Sequence, residues 1–388
     1  MPDFKLLSLM FKIPRDESRG VSFFDCYLIP VEKRIQELDV LRILAMLLVI
    51  TYHFGYEYAA AGLPCFNLFC KTMNYEFGNI AVTIFIVISG GMLYKKYGVI
   101  GQGQGGCPLK TFYIKRAKAI YPPFWIANLY IPFTMLRHFV AEGNAFFWGS
   151  PFSILLTLVG FDGYMKGYGF VTYVFCGDWF VGAIVLLYLL YPLLAYCYRK
   201  RPAVTLFVLV FLYCLQFLIP ARYDELFNCL PVTIALKFCI GFMLIENLDR
   251  LRDRRVALVS ALLFAGLTFV DIPGRVKADA IGSVAAIMLF AVIFYIAPYL
   301  LRFRVVSAPV QWLVPLSYCV FLVQHVGVMW VQIASVKIFG RMHWQFTEWN
   351  VLALLGCTMV AAVLAAWILK RVSDWSVDRI SKFLSCKT

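Results

Sequence analysis

The chain has 388 residues, of which 62% are hydrophobic and only 15% are charged, and its formal net charge is +14. A compact soluble domain of this length cannot solvate so apolar a composition, which indicates an all-α, polytopic membrane protein. Membrane topology and anionic lipid account for the positive charge, so we expect membrane lipid as a partner and no nucleic acid.

The first 37 residues form a basic tail without the apolar segment and cleavage site of a signal peptide, and we expect them to be cytosolic. A membrane domain is predicted over residues 38–370 and a second cytosolic tail over residues 371–388. Ten apolar runs are long enough to span a bilayer. They cover residues 38–60, 77–97, 119–139, 179–198, 203–220, 230–248, 256–273, 280–301, 309–336 and 349–369.

The apolar run at 151–165 is short and is interrupted by Gly160, Asp162 and Gly163. We interpret it as a re-entrant or interfacial segment. With ten spans and a cytosolic amino terminus, 26 of the 36 Lys and Arg residues lie in cytosolic segments and eight in external ones. This asymmetry follows the positive-inside rule and predicts that both termini are cytosolic.

The twelve cysteines are scattered and show no metal-ligand spacing, so we expect no metal site. Cys65 and Cys70 share the first external loop, where they form either a disulfide or two thiols. The chain also lacks the G-x-S-x-G signature of a serine hydrolase.

The first span carries three ionisable side chains within its apolar run, namely Asp39, Arg42 and His53. Charges at membrane depth are costly and usually functional. Arg42 and His53 are 11 residues apart, which on an α-helix is about three turns and about 16 Å along nearly one face. One helix therefore presents a cation near the cytosolic edge and an imidazole in the outer half of the membrane.

Several local motifs can be compared with known membrane enzymes. They are Leu38, Asp39, Arg42, Ala45 and His53 in the first span, Phe85 to Ser89-Gly90 in the second, Phe112 to Arg116, Lys118 and Pro122 at the third, and, more weakly, Trp179-Phe180 with Tyr188 and Pro192, and Ser317 to Leu322. Together they resemble the membrane acyltransferases of acyltransferase family 3. The resemblance covers most of the chain and implies acylation of cell-surface sugars from cytosolic acyl-CoA, with Asp39, Ser89 and Gly90 at the donor site.

Two positions depart from the family pattern. Ala119 stands where members usually carry a second arginine, so Lys118 is expected to supply that charge without the bidentate geometry of a guanidinium. Gln324 stands where the late motif has its histidine, and His325 follows one step later. Because one residue turns a side chain by about 100° on a helix, we expect a smaller role for His325.

Arg116 and Lys118 lie at the depth of Arg42, at the cytosolic start of their span. Such a cluster suits the phosphates of coenzyme A, although positive-inside charge alone explains the loop lysines. The glycine-rich run at 101–106 is interpreted as a flexible linker, because no strand precedes it.

On the outer side, His53 is predicted to be a general base oriented by Glu57, one turn away, with a neutral interhelical histidine as the alternative. Lys237 and His325 approach the depth of His53 and are predicted to line one chamber with it, although the stem of Lys237 is also long enough to snorkel to the interface.

Asp178 and Trp179 lie at the outer mouth, where an acid beside an aromatic ring suits sugar binding. An interfacial tryptophan is also a common membrane anchor, and that alternative stays open.

We therefore predict a multi-pass plasma-membrane O-acyltransferase that moves an acetyl or other short acyl group from acyl-CoA to a carbohydrate hydroxyl outside the cytosol. The acceptor class would be an exopolysaccharide, an O-antigen or a cell-wall glycan, and acyl-CoA would be a co-substrate rather than a bound cofactor. The main alternative is a transporter, although we find no paired broken helices in two halves. A membrane module like that of certain serine racemases is a third possibility.

Overall fold

A computed structural model describes residues 34–64, 74–100, 108–146, 151–170, 173, 176–218, 229–271 and 278–385. These residues form helices and connecting turns, with no strand among them. The helices are α1 Gln36–Ala60, α2 Phe77–Tyr97, α3 Leu109–Ala127, α4 Tyr130–Glu142, α5 Pro151–Leu158, α6 Asp162–Lys166, α7 Asp178–Lys200, α8 Pro202–Leu215, α9 Pro231–Glu246, α10 Leu248–Leu251, α11 Arg254–Phe269, α12 Ala278–Leu300, α13 Arg304–Leu313, α14 Ser317–Met342 and α15 Glu348–Ser385. Single 3₁₀ turns follow α8 and α13, at Gln216–Leu218 and Val314–Leu316.

Six helical segments within the described ranges are long and apolar enough to cross a membrane. They are Gln36–Ala60, Phe77–Tyr97, Trp179–Lys200, Asp279–Leu300, Arg304–Met342 and Glu348–Ile380. The expected count of ten spans is therefore not confirmed, although the all-helical, membrane-spanning class is. The other four expected spans correspond to α8, α9 and α11, which have 14 to 16 residues, and to 119–139, which breaks between α3 and α4.

Helix α1 packs against four other long helices, namely α2, α12, α14 and α15. Its buried side chains include Leu41, Ala45, Ile50 and Phe54, which are wholly inaccessible. At about 100° per residue, Leu41 and Ala45 lie almost opposite to Ile50 and Phe54, so α1 is enclosed by its neighbours on more than one side.

Helices α2 and α9 touch through their backbones. A Cβ atom added at Gly90 would lie 2.2 Å from the carbonyl oxygen of Phe238, and one added at Gly241 would lie 2.1 Å from that of Val87. Small residues permit such close approach between membrane helices. Gly90 therefore has a packing role in this structure, whatever it does for a substrate.

Basic helix ends gather on one side of the bundle. Tyr191 of α7 donates to the carbonyls of Leu93 and Gly98 at the end of α2, and Arg252 donates to Glu37 at the start of α1. The Lys and Arg residues of these ends are Lys95, Lys96, Arg199, Lys200, Arg250, Arg252, Arg254 and Arg255. The compartment that this end faces stays a prediction, as does the orientation of the termini.

The segment at 151–165 contains two short helices, α5 and α6, joined at Gly160, whose φ of +77° suits glycine. Buried Asp162 holds them together, since its carboxylate accepts from the Thr157 hydroxyl at 2.9 Å and from the Gly163 amide at 2.8 Å. Leu155 is exposed. Neither helix is long enough to cross a bilayer.

Some of our predictions concern residues outside the described ranges. They concern the tail at 1–33, Cys65 and Cys70, and the glycine-rich run at 101–106. The proposed boundary at 370 falls inside α15, which is continuous from Glu348 to Ser385.

Candidate active site

His53, His325 and Glu57 meet between α1 and α14. The imidazole rings of His53 and His325 lie 5.1 Å apart between centroids and are nearly perpendicular. His325 Nε2 lies 3.4 Å from Glu57 Oε1. The Glu57 carboxylate, which we expected beside His53, thus pairs with His325 instead. The contacts form a chain from Glu57 through His325 to His53.

Helices α1 and α14 run parallel, and this alignment brings the two histidines together. Gln332 donates to the Glu57 carbonyl at 2.9 Å, and the hydroxyls of Tyr58 and Ser335 are 3.2 Å apart. Because these contacts occur at increasing positions on both helices, they fix the register of the pair. Once the register is fixed, His325 must face His53 at the same depth.

This register explains how His325 reaches His53 although it stands one position later than the histidine of the family's late motif. His325 contacts His53, whereas Gln324 is buried and its Oε1 has no hydrogen-bond partner among the described residues. Sequence reasoning assigned His325 a smaller role because of its displacement, and the observed ring contact argues for a larger one.

The start of α7 lies close to this group. A Cβ atom at Gly177 would lie 2.9 Å from Leu322 of α14, and His325 is three residues, or about 4.5 Å, further along that helix. Phe180 packs 4.5 Å from Phe321 between ring centroids.

Trp179 also packs near this point, with its ring centroid 6.2 Å from that of Phe180. Asp178 begins α7 and its side chain is outside the described part of the structure. The predicted acceptor-side pair at 178 and 179 is therefore within about one or two turns of His325 in depth.

The end of the bundle at which we predicted donor binding has two guanidinium groups in different settings. Arg42 Nη1 donates to Asp39 Oδ1 at 3.3 Å, and Arg34 Nε donates to Asp39 Oδ2 at 2.5 Å. The Asp39 carboxylate is buried between them. A carboxylate held by two arginines fixes the Arg42 head near the basic end of α1.

Arg116 lies within a ring of aromatic side chains. Its guanidinium carbon is 5.6 Å from the centroid of the Tyr97 ring, 6.0 Å from that of Phe112 and 5.7 Å from that of Tyr188, and Nη2 donates to the Tyr97 hydroxyl at 3.2 Å. Such cation–π contacts hold a planar guanidinium in one orientation. Lys118 is two residues on and therefore points to a different face of α3.

Ser89 and Gly90 lie on α2, where the structure gives Gly90 its contact with α9 described above. No described contact brings either residue to Arg42 or Arg116. Their assignment to the donor site stays a prediction.

Lys237 belongs to a separate buried cluster. Its Nζ lies 2.7 Å from Asp279 Oδ1 and 3.3 Å from Asn79 Oδ1, and Tyr213 donates to Asp279 Oδ2 at 2.8 Å. We predicted that Lys237 and His53 line one chamber. None of the described contacts of Lys237 involves His53. Asp279 was overlooked because it stands at the margin of an apolar run, although an acid at a span boundary was the available signal.

Within the described ranges, no three His, Cys, Asp or Glu side chains are placed to hold a metal ion. The residues brought together are suited to acid–base chemistry at one end and to anion binding at the other.

Comparison with known proteins gives one match. The family model described as an acyltransferase domain matches residues 35–371, which include every residue described in this site except Arg34. No curated protein and no solved structure matches the chain. Because the family model covers most of the chain, including both the arginine end and the histidine end of α1, the protein belongs to the acyltransferase 3 family and is a multi-pass membrane acyltransferase.

Proposed function

We propose that this protein transfers an acetyl or other short acyl group from cytosolic acyl-CoA to a hydroxyl of a carbohydrate on the opposite side of the membrane. The observation that carries the proposal is the arrangement on α1. Arg42 and His53 lie about 16 Å apart along nearly one face. The arginine is held by Asp39 and the imidazole is in contact with His325. One rigid helix thus links an anion-binding end to a proton-transfer end.

The donor half rests on Arg42 and Arg116. Both are oriented by neighbours, Arg42 by Asp39 and Arg116 by Tyr97, so each presents a positioned guanidinium to an incoming phosphate. Guanidinium groups bind phosphates through two parallel hydrogen bonds, which a lysine cannot reproduce. Lys118 adds positive charge nearby. The long arm of coenzyme A would then extend along α1 towards His53.

The chemical half rests on His53. Its imidazole removes the proton of the acceptor hydroxyl while the hydroxyl oxygen attacks the thioester carbonyl carbon. The carbon–sulfur bond then breaks, the acyl group stays on the sugar oxygen, and the proton held by the imidazole goes to the leaving coenzyme A thiolate. His325 and Glu57 orient the imidazole, in the manner of the third group of a catalytic triad.

The acceptor half rests on the start of α7. Trp179 offers an aromatic ring near the depth of His325, and the residue before it in the chain, Asp178, is an acid. A cell-surface polysaccharide approaching from outside the cytosol would reach His53 from this side. We propose the plasma membrane as the location.

Purified protein in lipid nanodiscs tests the function. It would be given acetyl-, propionyl- and palmitoyl-CoA with a panel of oligosaccharides, and both thiol release and sugar mass would be followed. We expect thiol release with acetyl- or propionyl-CoA, matched by an equal amount of acylated sugar and absent in the His53→Ala variant. Sugar movement across proteoliposomes without thiol release would identify a transporter instead.

The proposed orientation has its own test. Single cysteines placed at Lys96 or Arg201 should resist membrane-impermeant thiol reagents in intact cells, because both positions lie at the basic end. A cysteine at Glu142 should react. Labelling at Lys96 from outside would reverse the orientation and remove the donor site from the cytosol.

A further inference from the structure

Three side chains beside His53 have no part in the mechanism above. Tyr52 and Tyr56 on α1 are stacked, with ring centroids 6.2 Å apart and planes inclined by 29°. The Tyr52 hydroxyl donates to Glu76 Oε2 at 3.0 Å. Tyr56 is 58% exposed, which is high for a large ring one turn from a proposed catalytic residue. We call these three residues the tyrosine platform.

The platform is held in place by its surroundings. A Cβ atom added at Gly78 would lie 2.8 Å from the Tyr52 ring, so the absence of a side chain there makes room for the ring. Glu76 is the residue before α2, yet its side chain does not cap that helix. Its carboxylate accepts from Tyr52 instead, which fixes the ring and leaves the second oxygen to accept further hydrogen bonds.

The platform adjoins the proposed general base. The Tyr52 ring lies 5.3 Å from the His53 ring between centroids. At about 100° per residue, Tyr52, Tyr56, His53 and Glu57 occupy one sector of about 140° on α1. A molecule resting on the tyrosine rings would therefore reach the imidazole without crossing to another face of the helix.

This combination of groups has a chemical preference. A pyranose ring presents C–H bonds on its faces and hydroxyls around its edge. Flat aromatic rings cover the apolar face, while a carboxylate accepts hydrogen bonds from hydroxyls. We propose that the tyrosine platform is a carbohydrate subsite that holds the acceptor sugar against His53. This inference rests on the proposed function, because it names residues that bind that reaction's acceptor.

The competing explanation is an aromatic belt, since tyrosines often anchor membrane helices at the interface. An anchor has no use for the Glu76 carboxylate or for the space at Gly78. Loss of the carboxylate should therefore separate the two explanations, because it harms a sugar site and spares an anchor.

Binding and kinetics together test the platform. Binding of the oligosaccharide panel to nanodisc-embedded protein would be followed by saturation-transfer NMR, and the acceptor KM by product mass. The variants would be Tyr56→Ala and Glu76→Gln, with Trp349→Ala as a control. Trp349 is 80% exposed and lies in the first turn of α15, which packs on the Phe54 and Tyr58 side of α1, away from the platform.

We expect Tyr56→Ala and Glu76→Gln each to weaken sugar binding and raise the acceptor KM roughly five- to tenfold, since one stacking or hydrogen-bonding contact is worth on the order of 1 kcal/mol. The acyl-CoA KM should stay unchanged, as should every parameter of Trp349→Ala.

The outcomes are distinguishable. Unchanged sugar binding and acceptor KM in both variants, with normal transfer by the unaltered protein, would reject the platform and leave the proposed function standing. Binding of sugar by the unaltered protein that is weakened in both variants, without any acyl transfer, would support the platform and reject the proposed function. If no oligosaccharide of the panel binds or is acylated, the platform is rejected as well.

Discussion

Two of the ion pairs within the described part of the bundle differ in how deeply they are buried. Lys237 and Asp279 are 2.7 Å apart, and their side chains are only 4% and 3% exposed. His325 and Glu57 are 3.4 Å apart and are 28% and 23% exposed. We call Lys237 and Asp279 the closed pair, because they are in direct contact and buried. We call His325 and Glu57, together with His53, the loose group, because the pair is longer and partly exposed.

The difference fits a structural role for the first pair and the reactive role that we propose for the second. In the closed pair, the ammonium has Asn79 as a further partner and the carboxylate has Tyr213, so little hydrogen-bonding capacity remains for a substrate. In the loose group, the imidazoles retain exposure and can exchange protons with a hydroxyl. Depth in the membrane, which sequence reasoning used to group Lys237 with His53, does not distinguish these cases.

The largest effect is expected from His53→Gln. Glutamine keeps a hydrogen-bonding side chain but cannot take up and release a proton, so transfer should fall by about a hundred- to ten-thousandfold. Acyl-CoA binding should be retained, because Arg42 and Arg116 are unchanged. Reconstituted transfer and acyl-CoA binding would be measured alongside His138→Gln, which alters another histidine paired with a glutamate, Glu142. Wild-type turnover in His53→Gln would make His53 a packing residue.

The next effect is expected from Lys237→Met. Removing one partner leaves the Asp279 carboxylate buried without its counter-ion, at a cost of about 3–5 kcal/mol of folding stability. The double variant Lys237→Met, Asp279→Leu should recover most of this loss. Unfolding in detergent would be compared with Lys337→Met, which alters an exposed lysine. If the single variant were as stable as wild type but inactive, the closed pair would be part of the reactive site.

A smaller effect is expected from Glu57→Gln and His325→Ala. Each interrupts the chain of contacts that we propose to orient His53. The loss of an orienting contact comparable to a hydrogen bond to a charged group, about 1.5–3 kcal/mol, would lower kcat about ten- to a hundredfold. Combined with His53→Gln, either change should add little. Full additivity in the double variants would show that Glu57 and His325 act independently of His53.

The smallest effect is expected from Arg116→Lys, which keeps the charge but loses the planar group stacked among Tyr97, Phe112 and Tyr188. The acyl-CoA KM should rise about tenfold, and more in Arg116→Ala, since charge-assisted bidentate contacts are the stronger ones. Arg371→Ala, an exposed basic residue on α15, serves as the control. An equal KM in wild type, Arg116→Lys and Arg116→Ala would reduce this arginine to a topology signal.

The helical, membrane-spanning class could be predicted because composition and apolar run length depend only on the sequence. The placement of Arg42 and His53 on one face followed from helical periodicity. The count of ten spans is not confirmed, and hydropathy alone does not show where a helix ends. The 119–139 run breaks after Ala127, and Asn128 there donates to the carbonyls of Phe124 and Cys176.

Side-chain partners were the part least accessible from the sequence. His325 meets His53 because α14 runs parallel to α1 in a particular register, and Lys237 meets Asp279 because α9 and α12 pack against the same helix, α2. Both facts depend on long-range packing. Residue depth limits which side chains can meet, and the register between helices determines which of them do.

The glycine contact between α2 and α9 has a mechanical consequence. Where backbones touch, no layer of side chains remains that could repack, so the two helices are expected to move as a single rigid unit. Any opening of the bundle would then occur at seams filled by long side chains, such as the one between α1 and α14. His53 and His325 face each other across that seam, so any change in the separation of α1 and α14 would change the distance between their rings.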